Sequence, residues 1–235
     1  MIRLDKFLSQ MNIGTRSEVK NAVRKGKVTV NGEICKNADQ KIDEYNDIIC
    51  FQNQKVCYEK FVYYMLNKPA GVVSATSDNR DRTVLDLLKD DDTVSDIFPV
   101  GRLDKDTEGL LILTNDGEMA HNLLSPKKHI DKTYRVITKE NITKEQLTLL
   151  EHGVDIGENI VTMPARVEVI GNKELLLTIC EGKFHQVKRM LKAVGNEVAY
   201  LERKKMGNLY LDESLLRGEY RRLTAEEILI LKGEQ

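Results

Sequence analysis

Residues 101–117 read GRLDKDTEGLLILTNDG. Gly109–Thr114 is a continuous apolar run closed by Asn-Asp-Gly, which reads as a core strand ended by a turn. In front of it, between a Gly-Arg pair and the strand, stand two carboxylates, Asp104 and Asp106. Cleavage of a glycosidic bond needs two carboxylates that oppose each other across the sugar, and one short loop places them poorly for that. A metal site of the Asp-x-Asp kind would need further clustered ligands, and the sequence supplies none nearby. By residue type alone a solvated loop accounts for the pair, and the two aspartates are tied.

On either side of this stretch the chain alternates strands with helices. FVYYMLNK (61–68) is a β-prone run stopped by Pro-Ala-Gly, KTYRVITK (132–139) alternates, and 165–182 reads as two strands around Gly171-Asn172. GEMAHNLLSP (117–126) is a short helix stopped by Pro126, and TVLDLL (83–88) is a helical turn. Thr143 with Gln146 caps a helix, Val187, Met190, Leu191 and Val194 recur at helical spacing, and YRRLTAEEILIL (220–231) ends in a helix. Upstream, Leu4, Phe7, Leu8 and Met11 form a helical stripe, and Thr15 with Glu18 makes a capping box for a second helix that Gly26 closes. KVTVNGEICK (27–36) is a hairpin around Asn31-Gly32, and DIICF (47–51) a further strand. The expected class is α+β: a small N-terminal α/β module over 1–51, a polar linker over 52–60, and a larger domain over 61–235 with a mainly antiparallel mixed sheet flanked by helices.

The composition, 41% hydrophobic and 31% charged over 235 residues, is that of a globular protein with a core. No stretch reaches the roughly 20 apolar residues of a membrane helix. The opening MIRLDKFLSQ has no apolar signal core, so a cytoplasmic, non-membrane protein is expected. Cys35, Cys50, Cys57 and Cys180 form no C-x-x-C pair and have no histidine at zinc spacing, so reduced thiols are expected. The net charge of −1 predicts no polyanion partner, but its distribution does. Residues 1–36 carry eight basic and three acidic side chains, and residues 183–205 seven basic and two acidic; acid is concentrated elsewhere, as in DLLKDDDTVSD (86–96). Two basic islands on a near-neutral chain suit a protein that meets a polyanion with particular faces; two solvated helix faces would carry the same charge.

The first 50 residues, RLDKFLSQMNIGTRSEVKNAVRKGKVTVNGEICKNADQKI within them, resemble the RNA-binding module named after small-ribosomal-subunit protein four. The resemblance implies that Arg3, Lys6, Arg16, Ser17, Lys20, Arg24 and Lys25 face folded RNA through phosphate contacts and shape. GRLDKDTEGLLILTNDG resembles the catalytic motif of the ribosomal RNA pseudouridine synthases. KTYRV and EGKFHQVKRMLKAVG resemble that family's second and third motifs, with MLNKPAG upstream and LDESLLRGEYRRLTAEEI downstream in the same order. The resemblance covers essentially the whole chain.

It breaks the tie between the aspartates. Asp104 takes the position of the family's essential carboxylate, and Asp106 is left to order the loop. Tyr134 matches the tyrosine that stacks on the target base, and Lys188 the basic partner of the aspartate. Arg102 matches the arginine that fills the gap left by the flipped uridine, with Leu103 and Arg189 expected at the same substrate surface. Taken singly, Tyr134 reads as core-facing, and Lys188 and Arg189 as the wet face of a helix. His185 is given no proton-transfer role, and Phe184 is expected to matter for packing only.

The implied reaction detaches uracil from its sugar, turns it and rejoins it through carbon 5, with no cofactor and no metal. The carboxylate can attack the sugar, take a sugar proton or attack the ring. The H-Q-V-K-R-M form, with lysine at the basic position, resembles the branch acting on 16S ribosomal RNA. The expected partner is therefore 16S rRNA or a small-subunit assembly intermediate, bound by a monomer. A 23S enzyme and a non-catalytic RNA-binding assembly factor are the alternatives.

Overall fold

The computed structural model describes residues 1–89, 92 and 96–233; part of the acidic stretch 86–96 lies outside the described residues. The chain divides into two compact units, Met1–Val62 with Leu88–Ile97, and Tyr63–Leu87 with Phe98–Gln235.

The first unit opens with β1 (Ile2–Arg3), α1 (Leu4–Gln10) and α2 (Arg16–Arg24). The start of α2 is the expected capping box: Glu18 N–H donates to Thr15 Oγ1 at 3.3 Å, and Thr15 N–H to Glu18 Oε2 at 2.8 Å. β2 (Val28–Val30) and β3 (Glu33–Ile34) pair across Asn31 and Gly32. Both turn residues take positive φ, 53° and 86°, as a two-residue hairpin with the twist of its strands requires. β4 (Lys41–Ile42) pairs with β1, and β5 (Ile49–Phe51) with β2. Leu4, Phe7, Leu8, Val19, Val23, Val28, Val30, Cys35, Ile42 and Ile49 close the core.

The stretch expected as a linker is not all linker. Gln54–Val56 forms β6, paired with β5, because Gln52 and Asn53 both take the left-handed turn conformation. Tyr58 then stacks on Phe7 with ring centroids 5.8 Å apart, so the polar sequence hides one hairpin and one core contact.

The second unit is built on one sheet. Its strands are β7 (Tyr63–Lys68), β8 (Phe98–Pro99), β9 (Glu108–Thr114), β10 (Lys132–Thr138), β11 (Arg166–Gly171), β12 (Glu174–Ile179), β13 (Val198–Met206), β14 (Leu209–Tyr210) and β15 (Tyr220–Arg222). The order runs β11-β12-β10-β13-β9-β7-β15, with β8 on β9 and β14 on β13; the β13–β9 pair is parallel and the others antiparallel. The helices are α3 (Gly117–Leu124), α4 (Lys144–His152), α5 (Gln186–Ala193) and α6 (Ala225–Lys232). Thr143–Gln146 and Thr224–Glu227 capping boxes start α4 and α6. The apolar run behind the two aspartates is β9, buried from Gly109 to Thr114. It pairs along its length with β7, itself buried throughout.

One cross-strand row links the strand ends around the loop 101–107. Lys68 of β7 pairs with Gly109 of β9, Gly109 with Arg203 of β13, and Arg203 with Tyr134 of β10. Gly109, at φ +98°, is required there, since a Cβ would run into the Arg203 backbone. Lys68 and Tyr134 are thus three strand spacings apart, about 14 Å.

Candidate active site

The loop 101–107 bends back over the end of β7 and is held from below. Lys68 is fully buried, and its ammonium donates to the carbonyls of Thr107 at 2.8 Å, Pro69 at 3.0 Å, Asp104 at 3.1 Å and Lys105 at 3.3 Å. Burial pulls its pKa down to about 8, against the opposing pull of Asp106, Glu108 and Asp104. Ser74 fixes the other side, donating to Leu103 O at 2.9 Å and accepting from Leu103 N–H at 3.1 Å. Thr107 N–H closes the turn onto Asp104 O at 3.0 Å, and Gly71 N–H onto Lys105 O at 2.7 Å.

A second brace comes from the C-terminal segment. Arg217 donates to Glu108 Oε2 at 2.6 Å, Tyr200 Oη at 2.7 Å, Glu202 Oε1 at 2.9 Å and Asn67 Oδ1. It therefore joins the residue before Lys68 to the residue after Thr107. Burial would raise the Glu108 carboxyl, but hydrogen bonds from Tyr200 and Arg217 hold it below the usual range. Lys68 and Arg217 are the residues that sequence reasoning missed. The only signal was their place in the MLNKPAG and LDESLLRGEYRRLTAEEI motifs.

With the backbone fixed, the two aspartates part company. The Asp104 side chain is 25% exposed and that of Asp106 73%. Lys188, on the first turn of α5, reaches both: 3.0 Å to Asp104 Oδ2 and 2.5 Å to Asp106 Oδ1. Burial would lower the Lys188 pKa, but the two carboxylates raise it above that of a free lysine. The same ion pair holds Asp106 below the usual carboxylate range. His185 Nε2 is 3.6 Å from Asp104 Oδ1. A half-buried carboxylate beside an ammonium, on an immobilised loop, is equipped to serve as nucleophile or base.

The other expected substrate residues divide. Arg102 is exposed and has no hydrogen-bond or ion-pair partner among the described residues, so its guanidinium is available. Tyr134 is 8% exposed on β10, and its hydroxyl makes no hydrogen bond among the described residues. It shares the Lys68–Gly109–Arg203 row, at the end of the sheet from which the loop rises. Two of them are engaged within the protein. Leu103 is 5% exposed, and its backbone is held by Ser74 through both its carbonyl and its N–H. Arg189 is occupied by Ile156 O at 2.9 Å, Gly157 O at 3.3 Å and Phe184 O at 3.4 Å, so it ties α5 to a neighbouring loop.

A family model described as RNA pseudouridylate synthase matches residues 62–193, which hold this loop, Tyr134 and Lys188. The chain belongs to the RNA pseudouridylate synthase family. A second model, described as S4 domain, matches residues 2–48, so this pseudouridine synthase carries an N-terminal S4 domain. It is 49% identical to an uncharacterised RNA pseudouridine synthase, YtzG, of Bacillus subtilis (strain 168), over the full length of both. It is 42% identical to ribosomal small subunit pseudouridine synthase A of Vibrio cholerae, covering 97% of this chain and 98% of the relative. The corresponding protein of Escherichia coli (strain K12) is 41% identical at the same coverage. Among solved structures, one described as a pseudouridylate synthase superposes with a TM-score of 0.70 at 39% identity, covering 98% of this chain and all of that one. The synthase is an isomerase, and no helix among its described residues is long and apolar enough to cross a membrane.

In the S4 domain, Lys6, Arg16, Ser17, Arg24 and Lys25 are exposed. Arg3 and Lys20 are partly committed to the protein itself. Arg3 donates to Asp5 at 3.0 and 2.8 Å and also binds Asp39, and Lys20 lies 3.7 Å from the buried Asp5.

Proposed function

We propose that this synthase converts one uridine of small-subunit (16S) ribosomal RNA to pseudouridine, acting as a cytoplasmic monomer on the RNA or on an assembly intermediate. The observation that carries the chemistry is the contact of Lys188 with Asp104 on a loop fixed by Lys68. The RNA assignment draws on identity of 41–42%, over nearly the whole chain, to proteins named ribosomal small subunit pseudouridine synthase A.

Asp104 provides the carboxylate at the sugar, and Lys188 holds it in place. The bond between carbon 1′ and nitrogen 1 breaks, the uracil turns, and carbon 1′ bonds to carbon 5. The proton leaving carbon 5 is balanced by one gained at nitrogen 1. The atoms of substrate and product are the same and no electrons are exchanged, so the reaction needs no cofactor. Tyr134 stacks on the detached base and keeps it from diffusing away. Arg102, whose guanidinium is unengaged, fills the gap left in the RNA stack, offsetting part of the few kcal/mol that flipping costs. The S4 domain holds the structured RNA through Lys6, Arg16, Ser17, Arg24 and Lys25.

The test is to incubate the protein with unmodified 16S and 23S RNA, without metal or nucleotide, and to map pseudouridine chemically. One new pseudouridine in 16S RNA and none in 23S RNA is the expected result. Modification of 23S RNA would overturn the target assignment, and RNA binding without modification would make the protein an assembly factor.

A further inference from the structure

The entry into α5 keeps two aromatic rings face to face, with one of them in water. The Phe184 ring lies on His185 with centroids 3.8 Å apart and planes 20° from parallel, yet Phe184 is 73% exposed. His185 takes a left-handed conformation, φ 48° and ψ 34°, unusual for a residue with a side chain. The surroundings enforce it. The buried Gln186 accepts from Lys183 N–H at 2.8 Å and donates to Glu181 at 2.7 Å, and Glu181 accepts from Met163 N–H at 2.9 Å. The backbone is thus secured on the protein side while the rings stand outside. The ring face of Phe184 turned away from His185 is thus open to solvent on a backbone that is held in place.

The stack is continuous with the active site. Asp104 Oδ1 lies 3.6 Å from His185 Nε2, so the sequence outward is carboxylate, imidazole, phenyl ring, solvent. A uridine extruded toward Asp104 unstacks from the bases on both sides of it, and one guanidinium, that of Arg102, covers only part of the two base faces so exposed. A flat, immobilised aromatic face takes up any such base without hydrogen-bond readout.

We propose that Phe184, backed by His185, is a stacking platform for the RNA base flanking the target uridine. This rests on the reading of Asp104 as the carboxylate at the target sugar. Phe184 acts in binding and orientation, and no bond is made or broken at it.

The experiment uses the full chain and an RNA fragment bearing the uridine that the wild type modifies, with 2-aminopurine in place of a flanking base. Phe184→Ala is expected to raise KM by about 5- to 150-fold, the effect of losing one base–aromatic stack, and to lower kcat by less. Phe184→Tyr should restore the wild-type KM, whereas Phe184→Leu, apolar but not aromatic, should behave like Phe184→Ala. The 2-aminopurine fluorescence should be quenched on binding wild type and not on binding Phe184→Ala. An unchanged KM in Phe184→Ala, rescue by leucine, or a probe that quenches equally with both proteins would overturn the platform. Wild-type turnover of the same RNA separates this from the underlying reading. If Asp104→Asn still modifies that RNA, the placement of the sugar at Asp104 fails, whatever Phe184 does.

Discussion

Lys188 Nζ stands 3.0 Å from Asp104 Oδ2, between that half-buried carboxylate and the exposed Asp106 at 2.5 Å. One cation thus serves two carboxylates of different standing. Removing the outer one leaves the inner contact in place. Asp106→Asn is therefore expected to lower kcat/KM by only about 3- to 10-fold, the loss of one hydrogen bond. Lys188→Met removes both contacts and should cost more than Asp106→Asn, while Lys188→Arg should retain most activity. Steady-state kinetics on RNA fragments checks the ranking. A near-total loss in Asp106→Asn would show that the two aspartates are assigned the wrong way round.

Lys68 makes stability depend on pH in an unusual direction. Folded Lys68 releases its proton near pH 8, whereas an unfolded lysine keeps it to about 10.5. Between these values the unfolded chain binds more protons, so the free energy of unfolding gains a contribution that rises with pH. Below about pH 8 the charged ammonium is buried at a cost. Urea unfolding between about pH 7 and pH 10 should show a steeper upward slope in wild type than in Lys68→Met, which lacks the titrating group. Equal slopes would place the Lys68 titration outside this window.

In the S4 domain the exposed basic residues and the committed ones should differ in kind. Lys6→Ala, Arg16→Ala, Arg24→Ala and Lys25→Ala should each flatten the logarithmic dependence of RNA affinity on salt by about 0.7 to 0.9 where a phosphate contact is lost. Arg3→Ala should act mainly on stability, because it strips the buried Asp5 of the partner that holds its carboxyl below the usual range. Filter binding across salt concentrations, beside thermal unfolding, distinguishes the two. An unchanged slope in all four exposed variants would remove this face from RNA binding.

Local pattern made much of the fold legible. The Thr15–Glu18 and Thr143–Gln146 boxes, the Asn31–Gly32 turn and the β9 run depend on neighbours within a few residues, and these formed as read. The choice between Asp104 and Asp106 came from family resemblance, because their difference in exposure and their contacts with Lys188, some 80 residues later, are properties of the folded chain. Lys68 was illegible for the same reason. A lysine before a proline at a strand end reads as solvated, and only the return of residues 104–107 over it makes it a buried brace. Helical spacing put Lys188 and Arg189 side by side on one polar surface. That one meets Asp104 while the other meets the Ile156 and Gly157 carbonyls is set by loops the helix does not encode. Phe184 was expected to matter for packing only; it stacks on the His185 ring while 73% exposed, beside a left-handed backbone at residue 185 that no local pattern announces.

Asp104 is held to perform the isomerisation on an otherwise intact scaffold. Asp104→Asn keeps the size and shape of the side chain, and the backbone contacts of Lys68 and Ser74 do not involve the carboxylate. The decisive measurement is single-turnover pseudouridine formation by wild type and Asp104→Asn on the same 16S RNA, with binding followed in parallel. Asp104→Asn is predicted to bind the RNA still but to form no detectable pseudouridine. Undiminished pseudouridine formation by Asp104→Asn would contradict the assignment of the chemistry to this carboxylate.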